Sequence, residues 1–180
     1  MKGRAIDPPV LVVMGVSGCG KSTVGALLAG RLGWAFAEGD DLHPPENIEK
    51  MSRGIALSEA DRRPWLHAVA EVIDRWRSEG TAGIITCSAL RRSYRDALVE
   101  GRPRLCFLYL KANREFIQRR LTQRLGHFMP ATLLDSQFAT LEEPGPEEPV
   151  IICSNLDDPE SVAEKIIADR AFSFVRNAIL

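Results

Sequence analysis

The sequence predicts an α/β fold in which helices cover both faces of a parallel β-sheet. Five short apolar runs, Val10 to Met14, Trp34 to Ala37, Gly83 to Cys87, Leu105 to Leu110 and Val150 to Cys153, are separated by longer segments of helical character, the rhythm of βαβ units. The runs are nearly all apolar and do not alternate with polar residues, as strands buried on both faces require. A chain of 180 residues, 45% hydrophobic, can bury roughly 70% of the surface it exposes when unfolded. One domain over 1–180 is therefore expected, and a disordered chain is excluded.

Each element has a local reason. Lys21 to Leu32 is rich in Ala and Leu and stops at Gly33, which accepts the left-handed cap that a residue with a Cβ resists. Ser58-Glu-Ala-Asp61 sets an N-cap serine before an acidic residue three positions on, opening a helix that runs to Glu79 and stops at Gly80. Pro64 falls early in that helix and marks its first turn or a small kink. Asn113 caps Arg114 to Leu125, and Asp158-Pro159 is an N-cap followed by proline at the first helical position. Glu142 to Pro149, E-E-P-G-P-E-E-P, reads as an extended, exposed connection into the last strand. Gly126-His-Phe-Met-Pro130 interrupts two helical segments beside Arg119, Arg120 and Arg124, and reads either as a basic flap or as a helical hairpin corner.

Composition then narrows the function classes. Lys plus Arg number 23 against 24 Asp plus Glu, so no global field favours nucleic acid or a membrane surface, and any anion site must be local. Cys19, Cys87, Cys106 and Cys153 contain no C-x-x-C pair and have no His at metal-ligand spacing, so zinc is not expected. The last three lie in or at the end of apolar runs, where a reduced thiol acts as a small core hydrophobe, which implies the cytoplasm. The opening M-K-G-R-A-I-D-P-P has no long apolar stretch, and neither a secretory signal nor a membrane span is expected.

Gly15-Val-Ser-Gly-Cys-Gly-Lys-Ser22 matches G-x-x-x-x-G-K-[ST] between a predicted strand and a predicted helix, the context a phosphate-binding loop needs. Its glycines let successive N–H groups of Gly15, Val16, Ser17, Gly18, Cys19 and Gly20 curl around a phosphate, and the following helix adds its positive end. Lys21 then reaches the β- and γ-phosphates, Ser22 offers a hydroxyl to Mg²⁺, and Thr23 points toward the α-phosphate. Cys19 lies where a helix N-terminus favours a thiolate. The alternative is a small residue whose backbone alone matters.

A phosphate loop leaves switch, ATPase and kinase open. No D-x-x-G or N-K-x-D is found, and Gly83-Ile-Ile-Thr-Cys-Ser88 lacks the strand-end carboxylate of many ATPases. Acidic groups gather instead at Glu38-Gly39-Asp40-Asp41, after the second run. Strand ends at the carboxyl edge converge on the loop, so Asp40 is positioned to take a proton from an incoming hydroxyl and Glu38 to organise magnesium through water. The alternative is a solvated turn. Arg53, Arg62, Arg63, Arg91 and Arg92 follow the second and third strands, and a guanidinium fork there suits an anionic small molecule. Arg53 and Arg91 lie nearest strand-following turns. His43 and, from the flap, His127 can hydrogen-bond a hydroxyl. His67 reads as structural, and Trp65 and Trp76 read as packing residues.

The loop, with E-G-D-D-L-H-P-P-E-N-I-E-K-M, D-R-R-P-W-L, C-S-A-L-R-R-S-Y-R-D, G-H-F-M and D-S-Q-F-A-T-L-E-E-P, resembles the thermoresistant type of bacterial gluconokinase across residues 10 to 155. The resemblance implies a three-layer P-loop kinase fold, a five-stranded parallel sheet of order 2-3-1-4-5, and a lid spanning residues 120–140. It implies ATP- and Mg²⁺-dependent phosphorylation of D-gluconate at its 6-hydroxyl by a cytoplasmic homodimer. By residue, it implies Lys21, Asp40 and Arg124 as catalytic groups and Arg120 at the nucleotide. Asp40, His43, Arg53, Ser88, Arg91 and His127 are implied at the acceptor. The rivals are a kinase of the same architecture for another small molecule, and an ATP-driven switch.

Overall fold

In the computed structural model, which describes residues 7–123, 131–154, 158–170 and 172, five strands form one parallel sheet. They are β1 (Val10–Met14), β2 (Ala35–Ala37), β3 (Gly83–Thr86), β4 (Leu105–Leu110) and β5 (Val150–Cys153), ordered β2-β3-β1-β4-β5. Among the described residues the helices are α1 (Lys21–Leu32), α2 (Pro45–Ser52), α3 (Glu59–Glu79), α4 (Arg92–Val99), α5 (Arg114–Gln123), α6 (Ala131–Thr140) and α7 (Pro159–Ala168). A 3-10 turn spans Gly39–Leu42. No helix among them is long and apolar enough to cross a membrane.

The two-residue period of a strand divides the core. Leu11 and Val13 of β1 point to one face, where they join Val24 and Leu28 of α1 and Val162 and Ile166 of α7. Val10, Val12 and Met14 point to the other and meet Trp65, Val69, Ile73 and Trp76 of α3. Every residue of β1, β3 and β4 is buried, which explains why their sequences show no alternation. Val13 pairs with Thr86 on one side and Leu108 on the other, so the carboxyl ends of the central strands reach a common edge.

The caps fall where the sequence puts them. Ser58 and Asp61 form a reciprocal capping box on α3, Asn113 Oδ1 accepts from the N–H of Phe116, and Asp158 accepts from Glu160 and Ser161 at the start of α7. Pro64 lies early in the 21-residue α3, as expected, but in its second turn and not its first, and the helix continues through it. Burial of one face over five turns outweighs the single hydrogen bond that proline removes. The 142–149 segment also departs from a free exposed connection. Glu142 N–H donates to Leu90 O at 2.8 Å, and the Glu148 side chain is 4% exposed because Arg95 encloses it.

Candidate active site

The loop between β1 and α1 holds Gly15, Gly18 and Gly20 at φ of 137°, 81° and 107°, a region that residues with a Cβ rarely enter. Its Lys21 is buried and folds back, Nζ donating to Gly15 O at 3.1 Å and Val16 O at 3.2 Å. Other elements close on the loop. Arg120 of α5 brings Nη1 to within 3.2 Å of where a Cβ on Gly20 would stand, and its guanidinium lies 5.5 Å from the Phe116 ring. Gly15 N–H donates to Ser88 O at 3.3 Å, and Ser17 N–H donates to Gln137 Oε1 of α6 at 2.6 Å. Ser22 is exposed and Thr23 half-buried on the first turn of α1.

Of the two readings of Cys19, the structure favours the small residue whose backbone alone matters over the thiolate. Its side chain is 1% exposed, packed into the core beneath the loop, and burial pushes the thiol above its ordinary range although Lys21 pulls the other way. The loop therefore presents backbone groups at this position, and the sulfur is a core atom.

One strand away, beyond β3, the chain leaving β2 makes the 3-10 turn that carries Asp40. Its seat is Gly39, whose N–H donates to Thr86 Oγ1 at 2.9 Å and whose carbonyl accepts from Trp65 Nε1 at 2.7 Å. A Cβ on Gly39 would come 1.9 Å from Thr86 O, so only glycine lets the turn rest on the end of β3. The Thr86 hydroxyl donates to the Glu38 carboxylate, which orients that acid at the same strand end. Asp40 itself is exposed, and its charge reaches two buried neighbours. Burial pushes the Cys87 thiol up to about 12 with Asp40 adding to the rise, while at His43 Asp40 opposes the larger effect of burial, which lowers the imidazole.

His43 stacks on Trp65 with ring centroids 4.4 Å apart and planes at 12°. Asn47 Nδ2 donates to Asp61 O at 2.7 Å and faces His43 Nδ1 at 3.3 Å. Nδ1 must then be the acceptor, which leaves the proton on Nε2. With its pKa below the ordinary 6.5, His43 is a neutral hydrogen-bond donor at pH 7. Trp65 is core, as expected of a packing residue, and it is also the platform that orients His43. Sequence alone separates these roles poorly, because both ask for the same apolar ring.

A nucleotide-type loop, a seated carboxylate turn and a 2-3-1-4-5 parallel sheet define the frame for comparison with known proteins. Residues 17–170 match the family described as shikimate kinase. The chain is 49% identical over 162 residues to a gluconokinase of Gluconobacter oxydans (strain 621H), covering 90% of this chain and 91% of the relative. It is 44% identical over 153 residues to the thermoresistant gluconokinase of Escherichia coli (strain K12), covering 85% and 87%. The chain belongs to the gluconokinase family. A crystal structure of a gluconokinase from Sinorhizobium meliloti 1021 superposes with a TM-score of 0.82 at 41% identity, covering 95% of this chain and 93% of that one.

In this gluconokinase family member the arginines that follow β2 and β3 differ in their partners and exposure. Arg91, the N-cap residue of α4, is ion-paired with Glu59 of α3, which also accepts from Tyr94 OH at 3.2 Å. Arg53, at the C-cap of α2, is largely exposed and meets Glu49 at 3.5 Å. The charge of Arg62 reaches His43, Cys87 and Tyr94. Arg92 is ion-paired with Asp96 and Glu147, and Arg63 is exposed. His67 is exposed on α3 beside Glu71.

Ser88, Arg120 and the phosphate loop are thus brought together, and Asp40, Glu38 and His43 are gathered around the end of β3. Arg124 and His127 lie outside the described residues. Sequence reasoning missed Gln137, which lies 120 residues from its partner Ser17, and Arg95, whose helix is too short to show a periodic face.

Proposed function

We propose that this protein is an ATP-dependent gluconokinase that transfers the γ-phosphoryl group of ATP to the 6-hydroxyl of D-gluconate, giving 6-phospho-D-gluconate and ADP. The observation that carries the reading is the Asp40 turn seated beside β3 at the sheet edge that also holds the phosphate loop. Identity of 49% and 44% over most of the chain to relatives named gluconokinase supports the acceptor. Oxygen O6 attacks the γ-phosphorus as the bond to the β,γ-bridging oxygen breaks, and the hydroxyl proton passes to the Asp40 carboxylate. Lys21, Arg120 and Arg124 would balance the charge spread over the transferring oxygens. Neutral His43 would donate from Nε2 to a sugar hydroxyl, Ser88 would contact another, and Arg53, Arg91 and His127 would complete the acceptor side.

Magnesium fits the side chains present. It takes few protein oxygens when phosphates supply the rest, and the exposed Ser22 hydroxyl and the Thr86-held Glu38 carboxylate offer such positions, the latter through water. Bound there, the ion would neutralise charge on the β- and γ-oxygens. We read 1–180 as a single domain with a lid at about residues 120–140, of which 124–130 lie outside the described residues, that would exclude water from the reaction. We also infer a cytoplasmic homodimer, for which light scattering of the purified chain should give twice the mass of one chain.

A coupled ADP-release assay with gluconate, shikimate and AMP tests the activity. Turnover with gluconate alone, lost on chelating magnesium, is expected. Comparable ADP release without any acceptor, or with shikimate in preference, overturns the reading.

A further inference from the structure

Arg95 of α4 is 1% exposed, an unusual place for a guanidinium. Its Nε donates to Glu148 Oε2 at 2.5 Å and its Nη2 to Glu148 Oε1 at 3.0 Å, a two-pronged pair reaching across 53 residues. The remaining edge turns the other way, Nη1 donating to Ala89 O at 3.0 Å and to Leu90 O at 3.4 Å. Those carbonyls belong to the turn between Ser88 and Arg91.

That turn is held in a conformation it would not choose. Ala89 has φ of 43°, the one non-glycine at positive φ among the described residues. Such a backbone persists only where its surroundings over-determine it. The 142–149 strap supplies further restraint: Glu142 N–H donates to Leu90 O at 2.8 Å, Glu142 Oε2 accepts from Arg92 N–H at 2.6 Å, and Glu148 is steadied by the N–H of Gly145 at 2.8 Å. On its far side the turn meets the phosphate loop, Ser88 O accepting from Gly15 N–H.

A buried ion pair is a poor device for stability alone, since well-packed apolar residues of similar volume commonly do as well. A planar fork does what they cannot: it fixes the direction of two carbonyls at once. We propose that Arg95, clamped by Glu148, is a positioning residue that sets the Ser88–Arg91 turn in the shape that receives the acceptor substrate. It acts through that turn without touching the substrate, and the assignment rests on the gluconokinase reading above.

Arg95→Lys keeps the charge and loses the fork, and Glu148→Gln keeps the shape and loses the charge. Steady-state kinetics in both substrates, with melting curves, separate positioning from stability. Each variant should raise the KM for gluconate about tenfold while the KM for ATP stays within about twofold. The double variant should be little worse than either single one, because one clamp is broken in each. Folded variants with an unchanged gluconate KM, or with both KM values raised alike, overturn the proposal. So does loss of folded protein in both single variants, which would assign the pair to stability alone. If the wild-type chain proves to use another acceptor, the same split is read on that acceptor, so failure of the gluconate assignment is distinct from failure of the clamp.

Discussion

Asp40 owes its position to a neighbour with no side chain. Gly39 lets the turn lie against Thr86 O, Trp65 holds its carbonyl, and the acid that follows is left exposed at the sheet edge. Asp40→Asn should therefore leave ATP binding intact by calorimetry and lower kcat by about 10²–10⁴, the range for a lost general base. Arg91, which we propose at the acceptor, is paired with Glu59, so a substrate carboxylate would have to compete for that guanidinium. Arg91→Ala should raise the KM for gluconate about tenfold or more, as loss of a charge-assisted contact would. Glu59→Gln should lower it by releasing the fork. Opposite shifts in the two variants, read from one set of initial-rate curves, check the assignment.

Among the elements, α3 does the most to organise the Asp40 turn and His43. It carries Trp65 to the Asp40 turn, and its capping box joins α2 through Lys50 Nζ and Asp61 Oδ1, 2.7 Å apart. Bonds from Lys50 and then Ser58 hold the Asp61 carboxyl at about 2, below its ordinary 3.8. A carboxyl depressed on folding contributes stability that is fully present above 3.8 and is lost as pH falls from there toward about 2. Asp61→Asn should lower the urea midpoint at pH 5 to 7, and the gap to wild type should close through that acidic window. A gap that stays constant with pH would assign the loss to the cap geometry instead. Elements also differ in how visibly they announce themselves. α1 and α3 are long and capped by Gly33 and Gly80, whereas α2 and α4 have eight residues each, too few to establish a period.

At the scale of the whole molecule, a substrate that binds only the folded state should stabilise every part coupled to the loop. Mg-ATP at 100 times its Kd contributes about 2.7 kcal/mol, which for a chain of this size corresponds to roughly 5–10 °C in Tm. A differential scanning measurement reads this directly, and absence of any shift would remove ATP from the loop. Cys19, Cys87 and Cys106 are buried, unbridged thiols that pack as core atoms and do not staple the fold. Stability rests on two apolar layers, one on each face of β1.

Strand positions, helix caps, the phosphate loop and the acidic turn are all written in contiguous residues, because each depends on hydrogen bonds and sterics within a few positions of chain. Their residues alone therefore point to an α/β phosphate-binding protein, and the motifs beyond the loop resemble one kinase family. The meeting of Ser17 with Gln137, of Arg95 with Glu148 and of Gly39 with Thr86 and Trp65 follows no local pattern. Those partners stand 26 to 120 positions apart. They become neighbours because the strand order 2-3-1-4-5 brings segments distant in sequence side by side, where burial then selects the partner each polar group must have.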